Sequence, residues 1–406
     1  MNNNNFEYKS NESEILVISA VFPPEPVVSA NLSRDIANEL AKKNKVVVLC
    51  PQPTRPAGFK FKKNNESSNY KIIKLNSYTC PNSVLFGRFR ESFSFGKHCV
   101  KYIKANMSEI SCIYLNSWPL FSQYLIVKIA KKYKINCVIH VQDIYPESLT
   151  NKLPYPVNRL AFFLFLQIDK YVLRNVNKII CISQNMIDYL SKSRKIEINN
   201  FELVRNWQDD ESFLELIPSH NETNKFVFMY LGSISPSAGV DTIIISFHLA
   251  KLADAKLIIA GNGSEREKCK EIVNKIKNKN IEFCDVSFDK VPKLQSKADV
   301  LLLPLKRGIA ITATPSKLTA YLLSAKPIIA CVEKDSDVSN IINQADCGYV
   351  VNPEDIDDLA FVMKQVYTTN RNKLKELGLN GRKYAISYLS KNINLNKIVT
   401  IIKNQI

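Results

Sequence analysis

No two cysteines in this chain are spaced as CxxC, and no HExxH occurs. The ten cysteines are scattered, and Cys112, Cys137 and Cys181 lie inside apolar, strand-like runs. They read as small buried hydrophobes kept reduced, not as a disulfide framework. The four histidines, His98, His140, His220 and His248, are equally dispersed, so no metal site is expected. Also missing is any window of 18 uncharged apolar residues. The longest apolar run, Leu160 to Leu166, is far too short to span a bilayer and is expected to be core. The opening MNNNNFEYKSNESE has no apolar signal-peptide core, so a cytoplasmic protein is expected.

Acidic residues are outnumbered, and the net charge is +17. Such an excess favours a polyanionic partner: nucleic acid, an anionic membrane face or a phosphorylated substrate. No RNP, zinc-finger, KH or helix-turn-helix pattern accompanies the charge, so nucleic acid is not expected. The stretch Phe86 to Phe95, continuing through Lys97, Lys101 and Lys104, alternates basic and aromatic residues around the single acid Glu91. It suits docking on an anionic leaflet, or equally a core helix with a solvated basic face.

At 406 residues the chain is too long for one core. Apolar strands alternate with helical periods: Glu14–Ala20, a helix over Ser29–Lys43, Val46–Cys50, Cys112–Leu115, Cys137–Val141 and Lys178–Ile182. The rhythm breaks into a polar stretch near Asn206 and restarts at Phe226–Leu231, Lys256–Ala260, Ile281–Cys284, Val300–Leu303, Pro327–Ala330 and Tyr349–Val351. Strand, helix, strand within about 35 residues implies parallel sheets. The expected fold is α/β: two doubly wound, Rossmann-like domains facing a central cleft, with ligands outside the carboxyl ends of the strands.

Five segments occur in order between residues 21 and 329: "VFPPEPVVSANLSRDIANELAKKNKVVVLCPQP", "HVQDIYPES", "LVRNWQD", "YLGSISPSAGVD" and "TPSKLTAYLLSAKPII". Together they resemble a family-4 glycosyltransferase of the GT-B fold, similar to bacterial polysaccharide and O-antigen transferases. The resemblance implies a hexosyl- or N-acetylhexosaminyl-transferase that retains anomeric configuration and needs no metal or cofactor. It implies an N-terminal acceptor-side domain over 1–206, a linker over 207–222 and a nucleotide-sugar domain over 223–386. The final stretch 387–406 would be a helix crossing back to the first domain. The donor is expected to be a nucleotide sugar, with UDP favoured over GDP, and the acceptor lipid-linked or an oligosaccharide. A peripheral position on the inner face of the cell membrane follows.

Chemistry then selects residues. Transfer requires stabilising the departing diphosphate. Lys317 opens a helix with Pro315, Ser316 and Leu318, where the helix dipole already favours an anion; the alternative is a solvated lysine at a helix cap. Lys306 and Arg307 follow a strand end and are further candidates. Gly232-Ser233, after a strand, admits close approach of the diphosphate to the backbone, or forms an ordinary turn. Gly261-Asn-Gly263 resembles the family's loop beside the nucleoside, although GxG alone is weak. Phe283 to Val286 would hold the base through the backbone. Asp143, just past a strand end, can bind the acceptor hydroxyl or take its proton, or cap a turn before Tyr145-Pro146. Glu147 is a weaker candidate, and His140 reads as a core histidine.

Several family positions differ. Val27 and Val28 stand where two glycines are common, Ser233 and Ala238 where a basic pair is common, and Thr312 and Ala320 where two glutamates are common. These losses motivate an alternative, a non-catalytic GT-B partner of another transferase. An epimerase of the same fold is a further rival.

Overall fold

The structure is a computed structural model that describes residues 13–55, 61, 68–80, 85–116, 119–150, 153–207, 210–215, 225–286, 290–312, 315 and 317–406. Contacts divide the chain into two units, Met1–Val204 with Leu395–Ile406, and Arg205–Asn394.

The first unit runs β1 (Glu14–Ile18), α1 (Val28–Ala41), β2 (Lys45–Pro51), β3 (Lys71–Leu75), α2 (Leu85–Ala105), β4 (Ile110–Asn116), α3 (Leu120–Tyr133), β5 (Asn136–Val141), α4 (Glu147–Thr150), α5 (Val157–Arg174), β6 (Lys178–Cys181), α6 (Gln184–Arg194) and β7 (Phe201–Leu203). Its seven strands are all parallel, in the order β3-β2-β1-β4-β5-β6-β7. Strands β1, β2, β4 and β5 are apolar on both faces because helices cover both sides. The order reverses between β1 and β4, where chains leaving the sheet diverge and open a crevice.

The second unit holds α7 (Glu211–Leu214), β8 (Phe226–Leu231), α8 (Val240–Ala250), β9 (Ala255–Ala260), α9 (Arg266–Ile276), β10 (Ile281–Cys284), α10 (Val291–Gln295), β11 (Val300–Pro304), α11 (Ile309–Thr312), α12 (Lys317–Leu323), β12 (Ile328–Cys331), α13 (Asp337–Gln344), β13 (Gly348–Val351), α14 (Ile356–Thr368) and α15 (Arg371–Tyr384). The last helix, α16 (Lys391–Lys403), begins in this unit and ends in the first. Six parallel strands are ordered β10-β9-β8-β11-β12-β13, reversing between β8 and β11. One core cluster lies on each face of this sheet. In the polar stretch 207–222, residues 208–209 and 216–222 lie outside the described residues. Between them α7 buries Phe213 in the second unit's core.

Two parallel-sheet units are thus present, as the alternating rhythm predicts. Two strands escape the sequence reading. The edge strand β3 carries exposed lysines among its isoleucines, and β7 has only three residues. All ten cysteines are free thiols; nine are buried and Cys284 is half-buried.

The run Leu160 to Leu166 corrects the expectation of a core segment. It is helical, so its apolar side chains point all round the axis. Only the inner side packs: the Phe165 ring lies 5.4 Å from Phe89 of α2 and 5.6 Å from Phe121 of α3. Leu160, Phe163 and Leu164 are exposed. The stretch from Phe86 is mixed. Phe95, Cys99 and Ile103 are core, and the acid Glu91 is buried in an ion pair with Arg55 at 2.5 Å. Arg90, Lys97, Lys101 and Lys104 stay exposed.

Candidate functional site

In the second unit β8 and β9 pair in register from Phe226 opposite Ala255 to Leu231 opposite Ala260. Gly232 and Gly261 therefore leave the sheet side by side. The Gly232 amide donates to Ala260 O at 2.9 Å, and the Gly261 amide to Cys284 O at 3.0 Å. The fit demands glycine: a Cβ on Gly261 would lie 2.1 Å from Gly232 O, with φ at +135°. Three carboxyl-edge loops, after β8, β9 and β10, are thereby stitched into one wall.

Lys317 reaches this wall from far along the chain. A Cβ on Gly232 would stand 2.7 Å from both Lys317 Cε and Nζ. The ammonium donates to Tyr230 Oη at 2.6 Å and lies 4.4 Å from the centre of that ring. Tyr230 Oη in turn donates to Ser233 O. The helix bearing Lys317 is clamped by Tyr321, whose hydroxyl accepts from Leu231 N at 2.8 Å and donates to Leu231 O at 3.0 Å. Lys317 is half-buried, and burial lowers its ammonium to about 8. No carboxylate pairs with it among the described residues. The solvated-cap alternative thus fails, because the stem lies over Gly232. The helix itself begins at Lys317 and has seven residues, so it contributes less dipole than the sequence suggested.

The other candidates separate. Lys306 is neutralised by Asp241 at 2.9 Å and Glu354 at 3.3 Å. Arg307 is exposed beside Gly308. Ser233 is exposed, and Gly263 follows Gly261 on the same wall, accompanied by a bond from Ile234 N to Asn262 O. Val286 is half-buried against the core just past β10. Pro315 accepts from the Leu318 amide at 3.0 Å, and Leu318 itself is 1% exposed. Leu318 therefore leaves neither side chain nor amide for a ligand, which corrects its place among the donor contacts: its side chain packs into the second unit's core. Ser316 lies outside the described residues, as does the Thr312 side chain. Ala238 and Ala320 are buried.

The first unit has its own polar edge. Gln142 donates to Asn116 at 3.0 Å, Asn116 to Ser33 at 2.9 Å, and Ser33 to Ser19 at 3.0 Å. Ser19, Asn116 and Gln142 sit at the ends of β1, β4 and β5, at the switch point, and Ser33 reaches them from α1. Asp143 is exposed next to Gln142. Glu25 closes the neighbouring loop by accepting from the Thr54 and Arg55 amides at 2.8 and 2.9 Å. Val27 and Val28 stand at the start of α1 in backbone that needs no glycine.

Glu147 is corrected from candidate base to structural anchor. Arg194, 1% exposed, grips both its oxygens at 2.8 Å and also holds Asp169 at 2.7 Å. Burial pushes Glu147 up, but the bonds from Arg194 and Tyr189 outweigh this and leave it below the usual range. Burial raises Asp169 to about 6 against the pull of the same guanidinium. His140 is the core histidine expected: fully buried, within 2.9 Å of Tyr114 Oη, and lowered by burial to about 4. The serine–asparagine–glutamine chain and the two tyrosines were missed. A buried tyrosine at a strand end needs a partner for its hydroxyl, and that was the one available signal.

Comparison with known proteins follows the same division. Residues 30–212 match the model of Glycosyltransferase Family 4, and residues 213–384 that of Glycosyl transferases group 1. The probable glycosyltransferase WbjE of Pseudomonas aeruginosa is 22% identical over 281 residues, 66% of this chain and 68% of that protein. The structure of WaaG, a glycosyltransferase involved in lipopolysaccharide biosynthesis, aligns with a TM-score of 0.67 at 17% identity, over 96% of this chain and 99% of that one. The Anabaena HepE structure in complex with UDP and glucose aligns at 0.67 and 13%, over 97% and 100%.

Proposed function

Because the chain belongs to the family-4 glycosyltransferases of the GT-B fold, we propose that it moves a sugar from a nucleotide-sugar donor, a UDP-sugar before a GDP-sugar, to a lipid-linked or oligosaccharide acceptor. The product would be a cell-surface polysaccharide or lipopolysaccharide, a reading supported by the structural likeness to WaaG, which is involved in lipopolysaccharide biosynthesis. The observation that carries this reading is Lys317: a half-buried ammonium lying over Gly232 with no counter-anion among the described residues.

A diphosphate answers that charge. It would lie against Lys317 and the backbone of Gly232 and Ser233, with Arg307 at its solvent side. The nucleoside would sit by Gly261 and Gly263, and the base by Phe283 to Val286. HepE's bound UDP supports the choice of nucleotide. Lys317 thus takes over the work of the family's basic pair, which is Ser233 and Ala238 here. The acceptor would be held by the first unit, its hydroxyl at Asp143. As the anomeric carbon leaves the diphosphate, it bonds to the acceptor oxygen on the same face. The acceptor proton passes to the leaving phosphate oxygen, so configuration is retained without a strong base. The protein would work in the cytoplasm, peripherally on the membrane's anionic inner face. A non-catalytic role is not favoured, since both matching models are those of glycosyltransferases.

The test is a panel of UDP- and GDP-sugars on the purified protein. A UDP-sugar at one hundred times its Kd should stabilise by about 2.7 kcal/mol and release UDP when acceptor is added. No stabilisation and no nucleotide release with any donor would overturn the reading.

A further inference from the structure

The first two turns of α5 turn large apolar side chains to solvent. Val157, Leu160, Phe163 and Leu164 are 52, 66, 53 and 60% exposed, and Tyr155 just before them 76%. Spacings of three and four residues put Val157, Leu160 and Leu164 on one stripe, with Phe163 at its margin. The helix is anchored from behind by Phe165, so this face is presented, not frayed. Beside it lies an open cavity of about 400 Å³ lined by Thr150, Tyr155, Asn158, Arg159, Phe162 and Phe163. Asn158 Oδ1 is buried there and accepts no hydrogen bond from the described residues. Further along, the helix becomes basic, with Lys170 half-buried and Arg174 exposed.

Dense exposed apolar surface marks an interaction site. Charge decides the partner. Arg159 edges the apolar face, α2 exposes Arg90, Lys97, Lys101 and Lys104, and the whole chain carries +17. A second copy would bring the same positive surroundings against themselves, whereas an anionic bilayer neutralises them. No described helix is long and apolar enough to cross a membrane, so the face would lie on the bilayer.

We propose that the amino-terminal half of α5 and its cavity form a lipid-docking face. Leu160, Phe163 and Leu164 enter the acyl layer, an acyl chain occupies the cavity between Tyr155 and Phe162, and the lipid phosphate pairs with Arg159. This rests on the membrane-peripheral reading above and moves its main contact from α2 to α5.

The full chain is co-sedimented with vesicles of phosphatidylethanolamine and phosphatidylglycerol, and with phosphatidylcholine alone. Four proteins are compared: wild type, the triple variant Leu160→Ser, Phe163→Ser, Leu164→Ser, the single variant Arg159→Gln, and an α2 variant carrying Arg90→Ser, Lys97→Ser and Lys101→Ser. UDP-induced thermal stabilisation reports folding, because every substituted position is remote from the donor residues in sequence and lies on the other unit. The triple variant should lose at least tenfold in binding to both vesicle types. Arg159→Gln should lose about fivefold on anionic vesicles only. If the triple variant binds like wild type while Arg90→Ser, Lys97→Ser, Lys101→Ser does not, the α5 face is refuted and the membrane reading stands. If wild type binds no vesicle, the membrane reading falls and this inference with it. Dissociation of a wild-type dimer in the triple variant, with vesicle binding intact, would instead make the patch a self-association surface and also refute the proposal.

Discussion

Lys317 Nζ bonds Tyr230 Oη at 2.6 Å across 87 residues of sequence, and its stem fills the space that a side chain on Gly232 would need. The charge is held at a strand end with no carboxylate among the described residues to neutralise it. Three expectations follow from this geometry, a fourth concerns Asp143 and a fifth the first unit's buried ions.

Lys317→Met keeps most of the stem and removes the charge. A charge-assisted bond of about 1.5–3 kcal/mol predicts a ten- to hundredfold loss of UDP affinity by calorimetry. Without ligand, Tm should stay level or rise, because burial already penalises the ammonium. Unchanged UDP affinity would remove Lys317 from the site.

The same group sets a pH dependence. Lys317 is charged below about 8 in the free protein, so UDP affinity should be full at pH 7 and decline as pH rises through 8 and beyond. Its folded pKa lies below the unfolded value, so the unfolded chain binds more protons between about 8 and 10.4. Its contribution to ligand-free stability therefore increases with pH across that window. Titrating wild type beside Lys317→Met isolates both effects; parallel curves would contradict the assignment.

Two glycine substitutions should part company. In Gly232→Ala the new methyl meets the flexible end of Lys317, which moves aside. UDP affinity should drop about tenfold, and because φ at Gly232 is +153° the stability cost should be about 1–3 kcal/mol. In Gly261→Ala the methyl meets backbone oxygen at 2.1 Å, so two loops must separate and Tm should fall by several degrees more. The reverse order in melting curves would show that Lys317 is not the yielding group.

Asp143→Asn is expected to leave UDP affinity unchanged, since Asp143 lies on the other unit. Transfer to acceptor should fall by about tenfold or more, chiefly through acceptor KM. A variant with full transfer activity would return Asp143 to a turn residue.

Arg194→Met strands the Glu147 and Asp169 carboxylates, both held by Arg194 in the interior. Removing one partner of a buried ion network costs about 3–5 kcal/mol. Urea unfolding should show that loss, with Arg194→Lys recovering little because one ammonium cannot reproduce the fork. A loss below 1 kcal/mol would mean that the network is hydrated.

The sequence by itself determined the alternation of strand and helix, and with it two parallel sheets. Apolar runs such as Phe226–Leu231 and Ile328–Cys331 are buried on both faces wherever they pair, so their period and length suffice. It also singled out candidate loops for a ligand, because glycines after strands and a lysine at a helix start are local signals. Partnership was decided only by tertiary structure. Nothing near Lys306 in sequence says that Asp241 and Glu354 neutralise it while Lys317 has no carboxylate partner among the described residues. Nothing near Glu147 announces Arg194. For the run Leu160–Leu166 the sequence specified hydrophobicity but not which side is covered. That depends on where α2 and α3 place Phe89 and Phe121. A helix carries its side chains all round, and only its neighbours decide which of them meet water.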